Sequence, residues 1–432
     1  MEAKPSLLIV GAGVAASELA LQCRQGGWTG DITLIGDEPV LPYNRPPLSK
    51  TWLDAAPDLA SLLVRPQAAY DKAGIACITG RSVAAIDRPR KQLHLADGEV
   101  MAYARLALCT GGRPRPWAAP GLAAGDRPAN LHVLRSLADA ERLRPVLVPG
   151  ARLVVVGAGY VGLEVAATAR KRGASVMVVE AQPRVLARST GAAVSGFYAD
   201  LHRGHGVDLR TATTVQRVER AGDGPDAAIT ALCIGGHGEA GVEQVPCDQV
   251  LVGIGMLPNA ELAAAAGLAV DGGVLVDELS RTSDPDIVAA GDCCVRDLGG
   301  GRRLRLESVP NALEQARAAA SWLTGQPRPN RSVPWFWSDQ YGLKLQMVGL
   351  SAGHERVLVR GPLGEQGFVA FYLRGDQVIA AEAINRPAEF MQAKRLVAAR
   401  CAVDGARLVD ESLPLKDLVT ENASLINRHV GL

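Results

Sequence analysis

The chain reads LLIVGAGVAA over residues 7–16 and LVVVGAGYVG over residues 153–162, so two glycine-rich turns, at Gly11 and Gly157, lie 146 residues apart. Each turn follows an apolar run and precedes a stretch with helical spacing, which predicts two strand–turn–helix units. In such a unit the first glycine permits a tight turn, the second lets the main chain approach a pyrophosphate, and the third lets the helix pack on the strand. The helix N-terminus then faces the phosphates. The chain is therefore predicted to bind two dinucleotides.

An acidic residue follows each turn at the distance expected of a ribose ligand. After the first turn either Asp37 or Glu38 could take this place, and after the second it is Glu180, 23 residues beyond Gly157. A carboxylate accepts hydrogen bonds from both ribose hydroxyl groups but repels a 2′-phosphate, so Glu180 favours NADH over NADPH. Arg184 follows four residues later and could weaken this preference.

The composition is that of a globular enzyme rather than a nucleic-acid-binding or membrane protein. The chain has 432 residues, of which 48% are hydrophobic and 21% charged, and its net charge is +1. This length predicts two to four domains. No block of five or more lysines and arginines marks a nucleic-acid site, and no apolar stretch reaches the roughly 18–20 residues that cross a bilayer. The N-terminus shows no cleavable signal, so we expect a cytoplasmic protein without nucleic-acid or membrane partners.

The cysteines and histidines do not predict a metal site. The eight cysteines form no CxxC pair and show no metal-ligand spacing, and Cys293 and Cys294 are adjacent, where a disulfide would be strained. We interpret them as small buried hydrophobic residues. His202 and His205 lie three residues apart, but no further ligand is near in sequence, so we interpret them as surface histidines rather than as a metal site.

The rest of the chain is divided by two proline-rich stretches, over residues 111–128 and 326–329. Beyond residue 247 two buried strands are predicted, at residues 249–255 and 281–292. The pattern does not decide whether they build a new core or return to the first sheet. The last hundred residues alternate in polarity and end in an amphipathic helix near 388–400, which predicts a small, mostly antiparallel α+β domain.

Several motifs follow each other in a fixed order, at residues 41–50, 110–115, 157–164, 291–292, 307–312 and 334–340. They resemble those of one family, the FAD-dependent, NAD(P)H-oxidising ferredoxin reductases of the glutathione-reductase-like flavoprotein superfamily, and especially those that serve oxygenases. The resemblance covers nearly the whole chain. It implies an α/β fold with two Rossmann-like domains and a C-terminal α+β domain. The implied boundaries are 1–113 with 248–327 for FAD, 114–247 for NAD and 328–432 for the last domain.

The resemblance also implies which residues bind the two dinucleotides. One departure concerns Gly36, which stands where many relatives carry the ribose acid, so that the contact shifts to Asp37 or Glu38. Asp292 could alternatively be a turn or N-cap aspartate. The implied FAD residues are Gly11, Gly13, Ala15, Ala16, Asp37, Lys50, Val83, Thr110, Gly111, Arg135, Asp292 and Val309. The implied NADH residues are Gly157, Gly159, Tyr160, Gly162, Glu180 and Gly255.

Three residues are implied to take part in catalysis. Lys50 and Glu164 are implied to pair beside the isoalloxazine ring, where the cation would stabilise reduced flavin and the pair would help to seat the nicotinamide. The alternative is an ordinary ion pair between domains. Trp337 is implied to lie near the flavin edge, on the path by which electrons leave. The alternative for the cluster at residues 335–337 is a core position in the C-terminal domain.

The implied reaction is transfer of hydride from NADH to FAD, followed by single-electron transfers to a [2Fe–2S] ferredoxin. The ferredoxin would feed a bacterial monooxygenase, for which a cytochrome P450 is favoured. Ferredoxins are acidic, so Arg317 and Lys416 are expected to lie in a basic docking patch. The protein is expected to be a monomer or a weak dimer.

Other functions on the same fold are alternatives. The terminal acceptor could be a Rieske-type ring-hydroxylating dioxygenase. The chain could also be an NADH-sensing flavoprotein of the apoptosis-inducing-factor type, in which NADH binding switches a partner interaction. A disulfide reductase needs a redox-active cysteine pair in the helix after the first ribose acid, and residues 38–60 contain no cysteine.

Overall fold

The computed structural model describes residues 5–55, 57–236, 241–364 and 366–421. The strands are β1 Leu7–Val10, β2 Ile32–Ile35, β3 Ile75–Ile78, β4 Val83–Asp87, β5 Gln92–Leu95, β6 Val100–Ala102, β7 Arg105–Leu108, β8 Gly112–Pro114, β9 Leu131–His132, β10 Arg152–Val156, β11 Ser175–Val179, β12 Asp208–Arg210, β13 Thr213–Arg220, β14 Ile229–Gly236, β15 Glu243–Pro246, β16 Gln249–Val252, β17 Met256–Pro258, β18 Val274–Val276, β19 Ile287–Ala289, β20 Cys294–Asp297, β21 Arg303–Leu304, β22 Trp335–Gln340, β23 Leu343–Gly349, β24 Arg356–Arg360, β25 Phe368–Arg374 and β26 Gln377–Ile384. The helices are α1 Val14–Gln25, α2 Thr51–Ala55, α3 Gln67–Lys72, α4 Leu137–Leu143, α5 Tyr160–Lys171, α6 Ala192–Gly204, α7 Glu261–Ala265, α8 Val309–Leu323, α9 Pro387–Ala399, α10 Gly405–Val409 and α11 Leu415–Glu421, with 3-10 turns at Pro46–Ser49, Leu59–Ser61 and Arg144–Val146.

The chain forms two compact units, and the first contains residues 5–44, 58–113 and 256–334. Its main sheet is parallel, with the strand order β19-β7-β1-β2-β3. All four residues of β1 are buried because helices or loops cover both faces of the sheet, as a parallel sheet requires. Helices α1 and α8 pack on one face. The first glycine turn follows the central strand, where the strand order reverses and ligands of such sheets bind.

The second unit contains residues 45–57, 114–255 and 335–421. It repeats the same plan with a parallel sheet in the order β12-β11-β10-β16-β9. The second glycine turn follows β10, which again is the central strand. An antiparallel layer of β13, β14 and β15 covers this sheet through the apolar cluster that includes Val154, Leu232 and Val250.

The C-terminal part of the second unit is an antiparallel sheet in the order β22-β23-β26-β25-β24. Strand β25 is buried over six of its seven residues, and α9 packs on the same sheet through Phe390, Ala393 and Leu396. This confirms the expected antiparallel α+β region, and the two glycine-turn sheets confirm the predicted α/β class.

The two strands predicted beyond residue 247 belong to different sheets. β16 pairs with β10 and completes the second sheet, whereas β19 pairs with β7 and returns to the first. Both runs are apolar and buried, so their composition could not separate them. The predicted boundary at residue 247 therefore precedes a strand of the second sheet, and the division into three functional domains stays a prediction.

Candidate active site

The first glycine turn has a shape that fits a pyrophosphate. Gly11 has φ +108°, and a Cβ atom placed there would lie 2.1 Å from the carbonyl oxygen of Cys109, so a side chain is excluded. Gly13 is the N-cap of α1, and a Cβ placed there would meet no atom within 4 Å. No side chain caps this helix, so the main-chain N–H groups of its first turn are available to an anion.

The two candidates for the ribose acid of the first unit differ in their surroundings. Glu38 accepts a hydrogen bond from the Tyr43 hydroxyl group at 2.6 Å, whereas Asp37 is exposed. A Cβ at Gly36 would lie 2.4 Å from the Cβ of Ala12 in the glycine turn. Because Ala12 fills this space, an acid at position 36 is excluded, which explains the departure from the family pattern and supports Asp37.

The other predicted FAD residues of the first unit lie on several of its helices, strands and turns. Ala15 and Ala16 are buried in α1, Val83 begins β4 and Val309 begins α8. Thr110 donates from Oγ1 to the carbonyl oxygen of Asn259 at 2.6 Å. Gly111 has φ +63° and Gly291, which precedes Asp292, has φ +93°. The predicted FAD residues Lys50 and Arg135 belong to the second unit.

The second glycine turn has the same construction. A Cβ at Gly157 would lie 2.6 Å from the carbonyl oxygen of Gly253, and one at Gly162 would lie 2.2 Å from that of Gly157. A Cβ at Gly159, the N-cap of α5, would find its nearest atom at 3.9 Å. Glu180 accepts main-chain N–H bonds from Ala158 at 2.7 Å and Gln182 at 2.8 Å, which fixes its carboxylate beside the turn.

Two arginines near this turn differ in their contacts. Arg184 donates to the carbonyl oxygens of Thr190 at 2.7 Å and Ala187 at 2.9 Å, and so holds its own loop together. Arg188 is exposed and forms no hydrogen bond or ion pair with another residue of the described ranges. A Cβ on Gly255 would lie 3.3 Å from Nη2 of Arg188, so this guanidinium lies over the end of β16.

Glu164, in the first turns of α5, is the centre of a buried polar cluster. Its Oε2 atom forms an ion pair with Nζ of Lys50 at 2.7 Å and accepts the Ser49 hydroxyl at 2.5 Å. Its Oε1 atom accepts the Ser338 hydroxyl at 2.6 Å. Glu164 is 5% exposed and Lys50 is 18% exposed. The main chain of Pro46 also accepts a hydrogen bond from Lys50 at 3.1 Å, so the cation is held from two sides.

Trp337 lies one residue before Ser338 on β22 and is half-buried. Its ring lies 5.6 Å from that of Trp335 and 6.3 Å from that of Phe336. Tyr160 packs on Phe336 with ring centroids 4.6 Å apart and donates its hydroxyl to Sδ of Met347 at 3.1 Å. The predicted NADH residue Tyr160 thus joins the glycine turn to the C-terminal sheet.

The remaining predicted residues lie outside this cluster. The main chain of Arg135 donates to Asp139 and accepts from the Arg45 guanidinium. Arg317 forms ion pairs with Glu18 at 2.8 Å and with Glu314 at 2.7 Å, so its charge is largely compensated. Lys416 is exposed on α11.

The cysteines carry free thiols, and seven of the eight are buried. The Sγ atoms of Cys293 and Cys294 lie 3.7 Å apart, so they are not bonded. Within the described ranges no group of histidine, cysteine or acidic side chains could hold a metal ion. None of the helices in the same ranges is long and apolar enough to span a membrane.

Sequence reasoning missed Ser49 and Ser338 as partners of Glu164. Both serines lie inside motifs that carry the family resemblance, at residues 41–50 and 334–340, so their segments were identified but not their roles. It did not identify Arg188, and its prediction that His202 lies at the surface is wrong, because that side chain is fully buried whereas His205 is exposed. Their neighbours come from distant parts of the chain and leave no local pattern.

This arrangement defines a flavoprotein of one large class. The model for "pyridine nucleotide-disulphide oxidoreductase" matches residues 5–316, and that for "reductase C-terminal" matches residues 335–419. The chain belongs to the pyridine nucleotide-disulphide oxidoreductase family.

Within this class the chain is an FAD- and NADH-dependent ferredoxin reductase, similar to putidaredoxin reductase CamA of Pseudomonas putida. The two are 46% identical over 421 residues, or 97% of this chain and 98% of that protein. The covalent putidaredoxin reductase–putidaredoxin complex matches with a TM-score of 0.91 and 44% identity, over 98% of this chain and 100% of that one.

Two further relatives serve different systems. The ferredoxin reductase for the CYP199A2 system of Rhodopseudomonas palustris matches with a TM-score of 0.89 and 38% identity, over 96% of this chain and 99% of that one. The ferredoxin–NAD(+) reductase component of the anthranilate 1,2-dioxygenase system of Burkholderia cepacia is 40% identical, over 96% of this chain and 99% of that protein.

Proposed function

We propose that this protein transfers electrons from NADH to a [2Fe–2S] ferredoxin that feeds a bacterial cytochrome P450. The observation that carries the proposal is the buried Lys50–Glu164 ion pair on the helix that begins at the second glycine turn. The greater identity to putidaredoxin reductase than to the dioxygenase reductase, with the match to the CYP199A2 reductase, supports a P450 as the final acceptor.

The residues of the chain bind, orient and shield the reactants. Bound FAD supplies the conversion of a two-electron donor into a one-electron donor. The open N-terminus of α1 holds its pyrophosphate, and the turn at Gly157 receives NADH. By the family resemblance, Lys50 would supply a fixed positive charge to bound FAD, and Glu164, its ion-pair partner, would keep this charge in place. Trp337 would shield the flavin from water.

The experiment that tests this function is stopped-flow reduction of the purified protein by NADH and by NADPH, followed by reoxidation with candidate [2Fe–2S] ferredoxins. Fast reduction by NADH and ferredoxin-dependent reduction of cytochrome c are expected. Slow reduction with a long-lived charge-transfer complex would instead support an NADH-sensing flavoprotein of the apoptosis-inducing-factor type. Turnover of a Rieske dioxygenase in preference to a P450 would support the alternative acceptor.

NADH is favoured over NADPH by the positions of Glu180 and Arg184. Glu180 lies beside the turn with its carboxylate fixed by two main-chain N–H groups. The Arg184 guanidinium donates hydrogen bonds to two carbonyl oxygens of its own loop, so it is not placed to neutralise a 2′-phosphate. The expected outcome is a kcat/KM for NADH at least about tenfold above that for NADPH.

Arg188 is expected to bind an anionic group of NADH. It is an exposed guanidinium at the carboxyl end of a parallel strand, beside the dinucleotide turn, without a protein partner in the described ranges. The variant R188A should raise the KM for NADH on the order of tenfold and leave kcat nearly unchanged, because one charge-assisted hydrogen bond is lost from ground state and transition state alike.

Steady-state kinetics with ferricyanide as acceptor measures this effect without the ferredoxin. The matched control is R203A, since Arg203 is also exposed and pairs only at 3.6 Å with Asp200 on α6. An unchanged KM in R188A, or an equal rise in R203A, would contradict the assignment.

Lys416 is expected to contribute more to ferredoxin docking than Arg317 does. Lys416 is exposed, whereas Glu18 and Glu314 already compensate Arg317. Reversing both charges, in R317E/K416E, should lower kcat/KM for the ferredoxin by about fivefold to tenfold at low salt. The NADH–ferricyanide activity should stay intact, because the surface charge steers only the association with the acidic ferredoxin. K416E alone should account for most of the loss.

The control is K72E, which reverses an exposed lysine on α3 outside the motifs. Equal loss of ferricyanide and ferredoxin activity would show that the charges act on the flavin site rather than on docking. The cytoplasmic location and the monomeric or weakly dimeric state stay predictions.

A further inference from the structure

A chain of buried hydrogen bonds leads from Glu164 to helix α6. The Ser338 hydroxyl donates to Oε1 of Glu164 at 2.6 Å, and Nε2 of Gln340 donates to Oγ of Ser338 at 3.2 Å. Oε1 of Gln340 lies 2.8 Å from Nε2 of His202, and the Tyr341 hydroxyl lies 3.3 Å from Nδ1 of the same ring. Five side chains thus form one continuous polar chain.

The positions of these side chains on β22 and α6 bring them into contact with each other. Ser338 and Gln340 lie two residues apart on β22, so they point to the same face of the strand. His202 reaches them from the last turn of α6. Ser338 and His202 are 0% exposed and Gln340 is 2% exposed. Because an unpaired buried polar group costs about 1–3 kcal/mol, each link strongly favours the next.

The chemistry of the groups fixes the direction of the chain. The ion-paired carboxylate of Glu164 can only accept, so Ser338 donates to it and must accept from the Gln340 amide N–H. The Gln340 carbonyl oxygen therefore faces His202 and needs an N–H at Nε2. The other ring nitrogen, Nδ1, then accepts from the Tyr341 hydroxyl. Every donor points towards Glu164.

The surrounding groups are compatible with a neutral His202. Burial lowers the pKa of His202 to about 4, although the bond to Gln340 acts in the opposite direction. Burial raises the pKa of the Tyr160 and Tyr198 hydroxyl groups, and the negative charge of Glu164 raises it further. Both tyrosines therefore stay protonated. His205 follows the same helix and stacks on Tyr341 with ring centroids 3.8 Å apart. Its Nδ1 atom contacts the carbonyl oxygen of Leu201, so His205 is not part of the hydrogen-bond chain.

We propose that His202, Gln340 and Ser338 are positioning residues that orient the Glu164 carboxylate and, through it, Lys50. The chain is not a proton path, because the Gln340 amide cannot exchange donor and acceptor roles by passing a proton along. The inference rests on the proposed function, since it assigns the purpose of the orientation to the reaction between NADH and the flavin. Without the Ser338 hydrogen bond, Oε1 of Glu164 loses this partner while Oε2 keeps Ser49 and Lys50, so the carboxylate is held on one side and orients Lys50 less firmly.

The first test separates positioning from binding by transient kinetics on the FAD-loaded protein. H202F should lower the limiting rate of flavin reduction on the order of tenfold, with the NADH dissociation constant nearly unchanged, because geometry rather than affinity is lost. H202Q restores an amide N–H towards Gln340 and should recover the rate to within about threefold of wild type. H205F, which keeps the stack on Tyr341, is the matched control and should react as wild type does.

The second test observes the chain itself by ¹⁵N NMR of the imidazole groups, with H202F used to assign the His202 signals. We expect the neutral Nε2–H tautomer from about pH 8 down to about pH 5. The Nδ1–H tautomer, or titration of His202 within that range, would overturn the proposed direction. S338A serves where H202F does not fold, since it removes the last donor with a small change in volume and should give the same loss of rate.

The outcomes distinguish this inference from the proposed function. Failure of NADH to reduce the wild-type flavin would defeat the proposed function, whatever the tautomer of His202. Wild-type reduction by NADH, with H202F and S338A reacting equally fast, would defeat the positioning role alone. Loss of rate in H202F without recovery in H202Q would mark His202 as a packing residue and defeat the inference as well.

Discussion

Replacement of Gly13 by valine is expected to give a folded protein that is purified without FAD. A Cβ atom at this position would meet no atom of another segment within 4 Å, so we expect the fold to be kept. The added carbon atoms would instead fill the space at the N-terminus of α1 where the main chain must approach the pyrophosphate. The FAD content, measured from flavin absorbance against protein, should fall below about one-tenth per chain.

The same substitution at Gly159 should have the opposite selectivity. This position is also open, with the nearest atom at 3.9 Å from an added Cβ. G159V should keep its FAD and lose most of its affinity for NADH, because the turn at Gly157 is assigned to the transient ligand. FAD loss from G159V and not from G13V would reverse the assignment of the two turns.

Two glycine-to-alanine variants provide the controls. Gly11 has φ +108°, and its added Cβ would lie 2.1 Å from a main-chain oxygen, so G11A should be destabilised as a protein and not only as a flavin site. Gly196 is exposed within α6 with no atom near its Cβ position. G196A should therefore retain FAD and melt at the same or a slightly higher temperature.

The contrast between these glycines shows what the sequence could predict. The turns at Gly11 and Gly157 follow from local rules, since apolar strand, glycine spacing and helix are contiguous in the chain. The strand at Leu7–Val10 and the helix near residue 388 were predicted almost to the residue. The sequence shows the departure at Gly36, but only the structure shows that Ala12 occupies the space of an acid there.

The rest of the site depends on contacts between distant segments. The pairing of Lys50 with Glu164 was inferred from family resemblance and is present at 2.7 Å, while its role in catalysis stays a proposal. Ser338 lies 174 residues beyond Glu164 along the chain, and no periodic pattern reports that separation. His202 was interpreted as a surface histidine because its spacing from His205 fits no metal site, yet it is fully buried. In the structure its Nε2 atom lies 2.8 Å from Oε1 of Gln340, a contact that a search for metal ligands does not detect.

Replacement of Lys50 by methionine is expected to have the largest effect on catalysis. The variant K50M should keep FAD but be reduced by NADH on the order of 10²–10³-fold more slowly, because a preorganised charge in a site that excludes water is removed. The midpoint potential of the bound flavin should become more negative for the same reason. Both quantities are measured on purified protein, by stopped-flow reduction and by redox titration with dyes.

The variants K50M, E164Q and K50M/E164Q together form a double-mutant cycle. E164Q keeps the shape of the side chain and an acceptor for Ser338, but it leaves Lys50 without its counter-charge, so the rate should fall roughly tenfold or more. The double variant K50M/E164Q should be no slower than K50M alone, since Glu164 acts only through the lysine.

The matched control is K171M, which breaks an ion pair between the same two segments. Lys171 on α5 pairs with Asp54 on α2 at 2.5 Å, as Glu164 on α5 pairs with Lys50 just before α2, but Lys171 is 69% exposed. An exposed pair contributes about 0–1 kcal/mol, so K171M should change neither rate nor potential. If K171M slows reduction as much as K50M does, the Lys50–Glu164 pair merely joins two segments. If only K50M and E164Q slow it, and their effects are not additive, the charge at Lys50 acts on the reaction itself.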